Sequence, residues 1–248
     1  MEKVARIIWR EILPATPVFT TRQAAAAARV GVAQASRSLS TLARLDLITR
    51  VTRGVWADVR DPRFSPYAAV PSLLAAGPGA RGYVSLLSAL SLHGLIQQVP
   101  RVIHVVADRR ARRTRRTPIG TYRFHLMRGA LIGGFALHDS GTFALATPAK
   151  ALFDTLYYSA RKGRRYARLP EVALPVGFPA REVADWIALV ESAPLRVALS
   201  RRWSTLRLAA ARARDDRPRR YSADSLRTMP RLASSSIIGR PGTISSGA

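Results

Sequence analysis

The sequence predicts an α+β protein in three parts: a small helical head closed by a hairpin over 1–62, a larger mixed α/β unit over 63–214, and a disordered basic tail over 215–248. Three observations carry this. Apolar residues keep helical spacing up to Leu45 and then give way to short alternating runs. Two prolines, Pro62 and Pro66, fall close together at the first boundary and end what precedes them. After Asp215 the chain turns to Pro, Arg, Ser and Gly, a composition that buries too little apolar surface to order itself.

The first helix is predicted over 3–13, with Val4, Ile7, Ile8 and Ile12 on one face and Pro14 as its stop. Thr20 or Thr21 caps a second helix, an alanine run from Ala24 to Ala28 that extends to about Arg29. Val30-Gly31-Val32 makes a tight turn, and a third helix spans roughly Ala33 to Leu45. Its apolar stripe is Ala35, Leu39, Leu42 and Leu45. At 100° per residue the opposite face carries Arg37, Ser40, Thr41 and Arg44, with Ser36 at its edge. Leu47 to Trp56 reads as two short strands around a turn at Arg53-Gly54, placing Arg50, Thr52 and Arg53 at its tip. Asp46 stands where a left-handed residue should close the third helix, a conformation Asp tolerates better than most. Helix, turn, helix and basic hairpin in this order predict a winged helix-turn-helix whose third helix reads double-stranded DNA. Arg suits guanine edges, and Ser and Thr suit phosphates or either base. The expected contacts are Thr21, Ser36, Arg37, Ser40, Thr41, Arg44, Arg50, Thr52 and Arg53. A bland alternative is a three-helix subdomain with a solvated basic face.

The larger unit alternates helices and strands. Tyr83 to Leu95 reads as a buried helix ended by Gly94, Val102–Val106 and Tyr122–Leu126 as strands, and Phe143–Ala146 as a short third strand. Thr147-Pro148 opens a helix, with Thr as N-cap and Pro at the first helical position. Lys150 and Asp154 are an i, i+4 pair that can be a simple surface salt bridge. The two parts are expected to have separate cores, each able to fold alone.

Charge narrows the partners. The 248-residue chain carries 40 Lys and Arg against 15 Asp and Glu, a net charge of +25. The shares are +5 over 1–62, +12 over 63–200 and +8 over 201–248. Such a field attracts polyanions without naming which. Arg109, Arg110, Arg112, Arg113, Arg115 and Arg116 crowd into eight residues. Charge this dense predicts an exposed flexible loop and a second nucleic-acid contact.

Other classes fall away. Without cysteine there is no disulfide, thiol nucleophile or thiolate metal ligand, in keeping with an expected cytoplasmic location. Glu2, Lys3 and Arg6 argue against a secretory signal. The apolar run Ala68–Ala76 is short and broken by Pro71, so no membrane span is expected. His93, His104, His125 and His138 are not spaced as metal ligands, the carboxylates are scattered, and no phosphate loop or nucleophile elbow is visible. No enzyme activity, metal or cofactor is expected.

Three segments resemble AbiEi-type antitoxins, the transcriptional-regulator half of abortive-infection (type IV) toxin–antitoxin pairs. They are the hairpin ending Arg53-Gly54-Val55-Trp56, the run Tyr83-Val84-Ser85 through Ser88-Ala89-Leu90 to His93-Gly94-Leu95, and Ala146-Thr147-Pro148-Ala149-Lys150-Ala151-Leu152-Phe153-Asp154. The likeness covers about residues 5–200. It implies an N-terminal winged helix-turn-helix followed by a mixed α/β antitoxin-like domain, with Ser85, Ser88, His93, Thr147, Lys150 and Asp154 as the latter's motif residues. It further implies a repressor of its own operon, bound to operator DNA with inverted repeats, that also neutralises a nucleotidyltransferase-like toxin. Two other readings stay open: a stand-alone transcription factor with a ligand-binding or dimerisation domain, and a catalytic DNA-processing protein.

Overall fold

The computed structural model describes residues 2–75, 81–109, 114–127, 129–160 and 169–215. It is a mixed α+β chain with two sheets and divides into two units, Met1–Ala211 and Arg212–Ala248. Of the tail expected to be disordered, 216–248 lies outside the described residues. Among those described, no helix is long and apolar enough to cross a membrane.

The chain begins with α1 (Glu2–Ile7), which continues through wider turns over Ile8–Ile12. Strand β1 (Val18–Thr20) leads into α2 (Thr21–Ala28), and α3 (Val32–Arg44) follows. Thr20, not Thr21, is the N-cap of α2: its hydroxyl accepts from the Gln23 N–H while the Gln23 side chain accepts from the Thr20 N–H, a capping box. Asp46 is left-handed (φ 54°), so the chain turns away just after Arg44. That turn leaves Leu45 59% exposed, and Ser38 takes its place on the buried stripe with Ala35, Leu39 and Leu42. Strands β2 (Thr49–Thr52) and β3 (Val55–Ala57) form the hairpin, its turn closed by Gly54 at φ 76°. The sheet order is β1-β3-β2, all antiparallel.

This small sheet has two greasy faces. Phe19, Ile48 and Trp56 pack with Val4, Ile8, Leu39 and Leu42 in a core of their own. Val18, Val51, Val55 and Ala57 alternate with them and belong to the main core of the larger body. The small unit thus has a core of its own, as expected, but its sheet also lends its second face to the main core, so the two are not fully separate. The proline-marked stretch at 61–66 is also tied back: Arg63 donates to Leu13 O (2.6 Å) and Pro14 O (2.7 Å) while paired to Asp61 (2.6 Å). Tyr122 donates its hydroxyl to Pro66 O (2.7 Å).

After a short turn at Pro66–Ala69, α4 (Val70–Leu74) leads to the larger sheet. In chain order follow β4 (Gly82–Val84), α5 (Leu86–Leu92), β5 (Val102–Ala107), β6 (Thr114–Thr117), β7 (Gly120–Leu126), β8 (Phe135–Leu137), β9 (Ala144–Ala146), α6 (Pro148–Ala160), α7 (Ala180–Ala188) and α8 (Ala193–Asp215). The sheet order is β6-β7-β5-β4-β9-β8. The pairs β5–β7 and β4–β9 are parallel, and β6–β7, β4–β5 and β8–β9 are antiparallel. The stretch from Tyr83 to Leu95 is thus not one helix. It opens as β4 and turns into α5 at Leu86, which is buried and left-handed (φ 51°), a conformation costly for a non-glycine residue. Helix α6 is buried on nearly all sides, as befits a central helix. Its first turn is capped as expected, the Lys150 N–H donating to Thr147 Oγ1 (3.2 Å).

Candidate nucleic-acid interface and a buried ionic centre

Arg37 and Arg44 project from the exposed face of α3, with Ser36, Ser40 and Thr41 half-buried beside them. The hydroxyls are already engaged. Ser40 Oγ donates to Ser36 O (2.8 Å) and Thr41 Oγ1 to Arg37 O (3.2 Å). Thr41 Oγ1 in turn accepts from Arg44 Nη2 (3.1 Å), so Arg44 is held in one direction along the helix and Thr41 acts through it. No acidic residue lies between Glu11 and Asp46, so α3 itself carries no carboxylate; exposed Asp46 follows just after its end.

Across the hairpin Arg50 and Arg53 are exposed and Thr52 is half-buried. The Arg50 guanidinium lies over the Trp56 ring, 5.7 Å from its centroid, a cation–π contact that steadies a long side chain. Thr21 departs from its expected DNA contact: it is 6% exposed, and its hydroxyl accepts from Trp56 Nε1 (2.8 Å). It ties α2 to β3 beneath the hairpin and cannot reach a ligand.

The arginine cluster is not one flexible loop. Arg115 and Arg116 lie in β6, opposite Tyr122 and Thr121. Arg115 packs over Phe124 (5.8 Å) and donates to Leu73 O (3.3 Å), while Arg116 is exposed. Arg109 is exposed at the end of β5; Arg110, Arg112 and Arg113 lie outside the described residues.

Of the six motif residues of the larger body, Ser85, Ser88, Lys150 and Asp154 are buried, and His93 and Thr147 are half-buried. Lys150 and Asp154 form an ion pair with both side chains fully buried, so the surface salt bridge is corrected. Asp154 also accepts from Ser85 Oγ (2.7 Å) and Tyr83 OH (3.3 Å). The Lys150 ammonium sits among the rings of Trp186 (4.6 Å), Phe153 (4.8 Å) and Tyr83 (5.7 Å), with Met127 Sδ at 3.4 Å. Burial pulls the Lys150 pKa down and pushes the Asp154 carboxyl up, each opposed by the attraction of the other. Burial, with the Asp154 charge beside it, raises the Tyr83 phenol. Gly134 makes room for this centre: a Cβ there would stand 2.7 Å from the Trp186 ring and 3.0 Å from the Lys150 chain. Ser88 is also buried; it accepts from the His104 N–H (2.9 Å) and donates to Val102 O (3.3 Å). His93 Nε2 bonds Ala146 O (2.7 Å), and Thr147 donates to Glu182 (3.1 Å). These contacts bind helices to strands, and no solute reaches the ion pair.

Two features escaped the sequence. His104 is 3% exposed, 3.1 Å from His125, and burial holds its imidazole down at about 4. A cavity of about 510 Å³ opens between Met127, Leu131, Tyr157, Val190 and Leu195. Its walls are scattered over four segments, so no local signal marks it. No family model matches the chain, and comparison with curated proteins finds no match.

Proposed function

We propose that this chain binds double-stranded DNA as a winged helix-turn-helix protein, with α3 in the major groove and the β2–β3 hairpin against the neighbouring backbone. The observation that supports it best is that α3 holds no acidic residue and projects exposed Arg37 and Arg44, with Arg44 aimed by Thr41. A preset arginine suits bidentate contact with guanine, and exposed Arg50 and Arg53 suit phosphates. On its resemblance to AbiEi-type antitoxins, the DNA is the operator of its own operon, and the larger body neutralises a nucleotidyltransferase-like toxin. The cytoplasm is the compartment this role requires.

The test is titration of the full chain against its own upstream DNA and a scrambled duplex. Arg37→Ala or Arg44→Ala should cost about 1–3 kcal/mol on the cognate site and less on the scrambled one. Equal loss on both reduces that arginine to a phosphate contact, and no preference between duplexes refutes the operator reading. The antitoxin half needs a toxin gene on an unrelated promoter, so that repression cannot pass for neutralisation. Failure of the chain to restore growth there refutes that half alone.

A further inference from the structure

Among the described residues, strand β8 ends the six-stranded sheet, and apart from its length of three residues it carries none of the devices that guard an edge. Soluble proteins blunt such edges with very short strands, charge, proline or a bulge. The opposite edge, β6, follows that rule with Thr-Arg-Arg-Thr. In β8 the register to β9 is unbroken: Phe135 faces Ala146, Ala136 faces Leu145 and Leu137 faces Ala144. No proline or charged residue occurs from Gly129 to His138 in a chain of net charge +25. Phe135 is 37% and Leu137 67% exposed, and Ala136 is exposed with them. The strand is pinned from behind, since Phe135 stacks on Tyr83 at 4.6 Å and Gly134 lies against Trp186.

The direction of the backbone groups follows from the ladder. His138 N–H donates to Phe143 O (2.9 Å), and Gly134 O accepts from Thr147 N–H (2.8 Å). In an antiparallel pair, alternate residues bond a given neighbour. Ala136 therefore turns its N–H and C=O to β9 with Gly134 and His138, and Phe135 and Leu137 turn theirs outward.

We propose that β8 is a self-pairing edge, through which two copies of this chain join their sheets antiparallel about a two-fold axis at Ala136. The pairing is self-complementary. Phe135 of each copy faces Leu137 of the other in hydrogen-bonded pairs, giving four backbone bonds and two apolar cross-strand contacts on one face. Ala136 meets its own copy at the non-bonded position, where side chains come closest and a methyl fits. Charge selects this edge: two β6 edges would oppose arginines, and two β8 edges bring none together. Three residues bury far less than the ~800 Å² per partner of a stable interface, so the dimer is weak and concentration-dependent. On the DNA-binding reading, it sets two α3 helices in one particle and suits an inverted repeat. That consequence rests on the reading; the self-pairing does not.

The chain has no cysteine, which permits a clean cross-linking test on the full protein without DNA. In Ala136→Cys the paired sulfurs would stand across a non-bonded site with Cα atoms ~4.5 Å apart, within disulfide range. Under mild oxidation Ala136→Cys should give a disulfide dimer at least about tenfold faster than Val176→Cys, which reports random collision from a site 88% exposed. Adding Leu137→Lys should cut that rate about tenfold, with the thermal midpoint of the monomer unchanged because Leu137 faces solvent. Equal rates for Ala136→Cys and Val176→Cys, or indifference to Leu137→Lys, overturns the proposal. The DNA titrations are scored separately, so either idea can fail without the other.

Discussion

A fragment ending at Pro66 tests how deeply the small N-terminal sheet depends on the larger body. The cut removes what covers Val18, Val51, Val55 and Ala57, which are 5%, 3%, 5% and 0% exposed in the whole chain. Fully burying one valine is worth about 1.5–3 kcal/mol, so uncovering three removes at most about 5–9 kcal/mol, less if the unfolded chain is already compact. A small domain is stable by only about 5–15 kcal/mol in total. The fragment 1–66 should therefore lose its cooperative thermal transition by circular dichroism and bind an apolar dye. Replacing Val18 and Val51 in it with Thr and Lys should reduce dye binding and aggregation, because those side chains then meet water. A sharp melt and a dispersed amide spectrum for the unaltered fragment would refute the shared core. Weak operator binding by an unfolded 1–66 fragment would then reflect folding, not missing contacts.

Other outcomes follow from the interior and the charge pattern. Asp154→Asn should destabilise the chain by about 3–5 kcal/mol in urea titration, because it leaves the Lys150 ammonium buried without its partner. The double variant Lys150→Met/Asp154→Leu should recover most of that loss; a double no better than the single would assign the effect to packing. His104 is held at about 4 against an ordinary 6.5, so the fold favours its neutral form. Its contribution is fully present above about pH 6.5 and drains as pH falls towards 4. The stability difference between wild type and His104→Asn should shrink over that interval, and parallel pH profiles would clear His104. Replacing Arg109 and Arg116 with Ser should lower the salt slope of DNA affinity by about 0.9 per lost phosphate contact, with sequence preference unchanged; an unchanged slope means this edge does not meet DNA.

The α3 face was legible because a 3.6-residue period is long enough to read over thirteen residues. The period misplaced Leu45, where the left-handed Asp46 turns the chain, and left out Ser38, which is buried instead. Strands β4 and β8 were not legible for the opposite reason. Each has three residues, too few to establish alternation, and the apolar run after β4 lent its helical character to Tyr83 and Val84. Dense charge suggested a loop at Arg115 and Arg116, yet pairing to β7 holds both in a strand, and the Phe124 ring gives Arg115 a flat surface to lie on. Nor could the two-faced sheet be seen. Val18, Val51, Val55 and Ala57 read equally well as one face of a small self-contained core, and only the larger body shows what they meet. Lys150 and Asp154 mark the sharpest limit. The i, i+4 spacing is the same for an exposed pair and a buried one, and the two differ by several kcal/mol in what a broken pair costs. What separates them here lies far away in sequence: Ser85 and Tyr83 supply the hydroxyls, Trp186 supplies a ring, and Gly134 leaves space for the Lys150 chain. The resemblance drew Ser85, Lys150 and Asp154 into one set of motif residues, and their meeting at a single buried charge gives that grouping a physical basis independent of any partner.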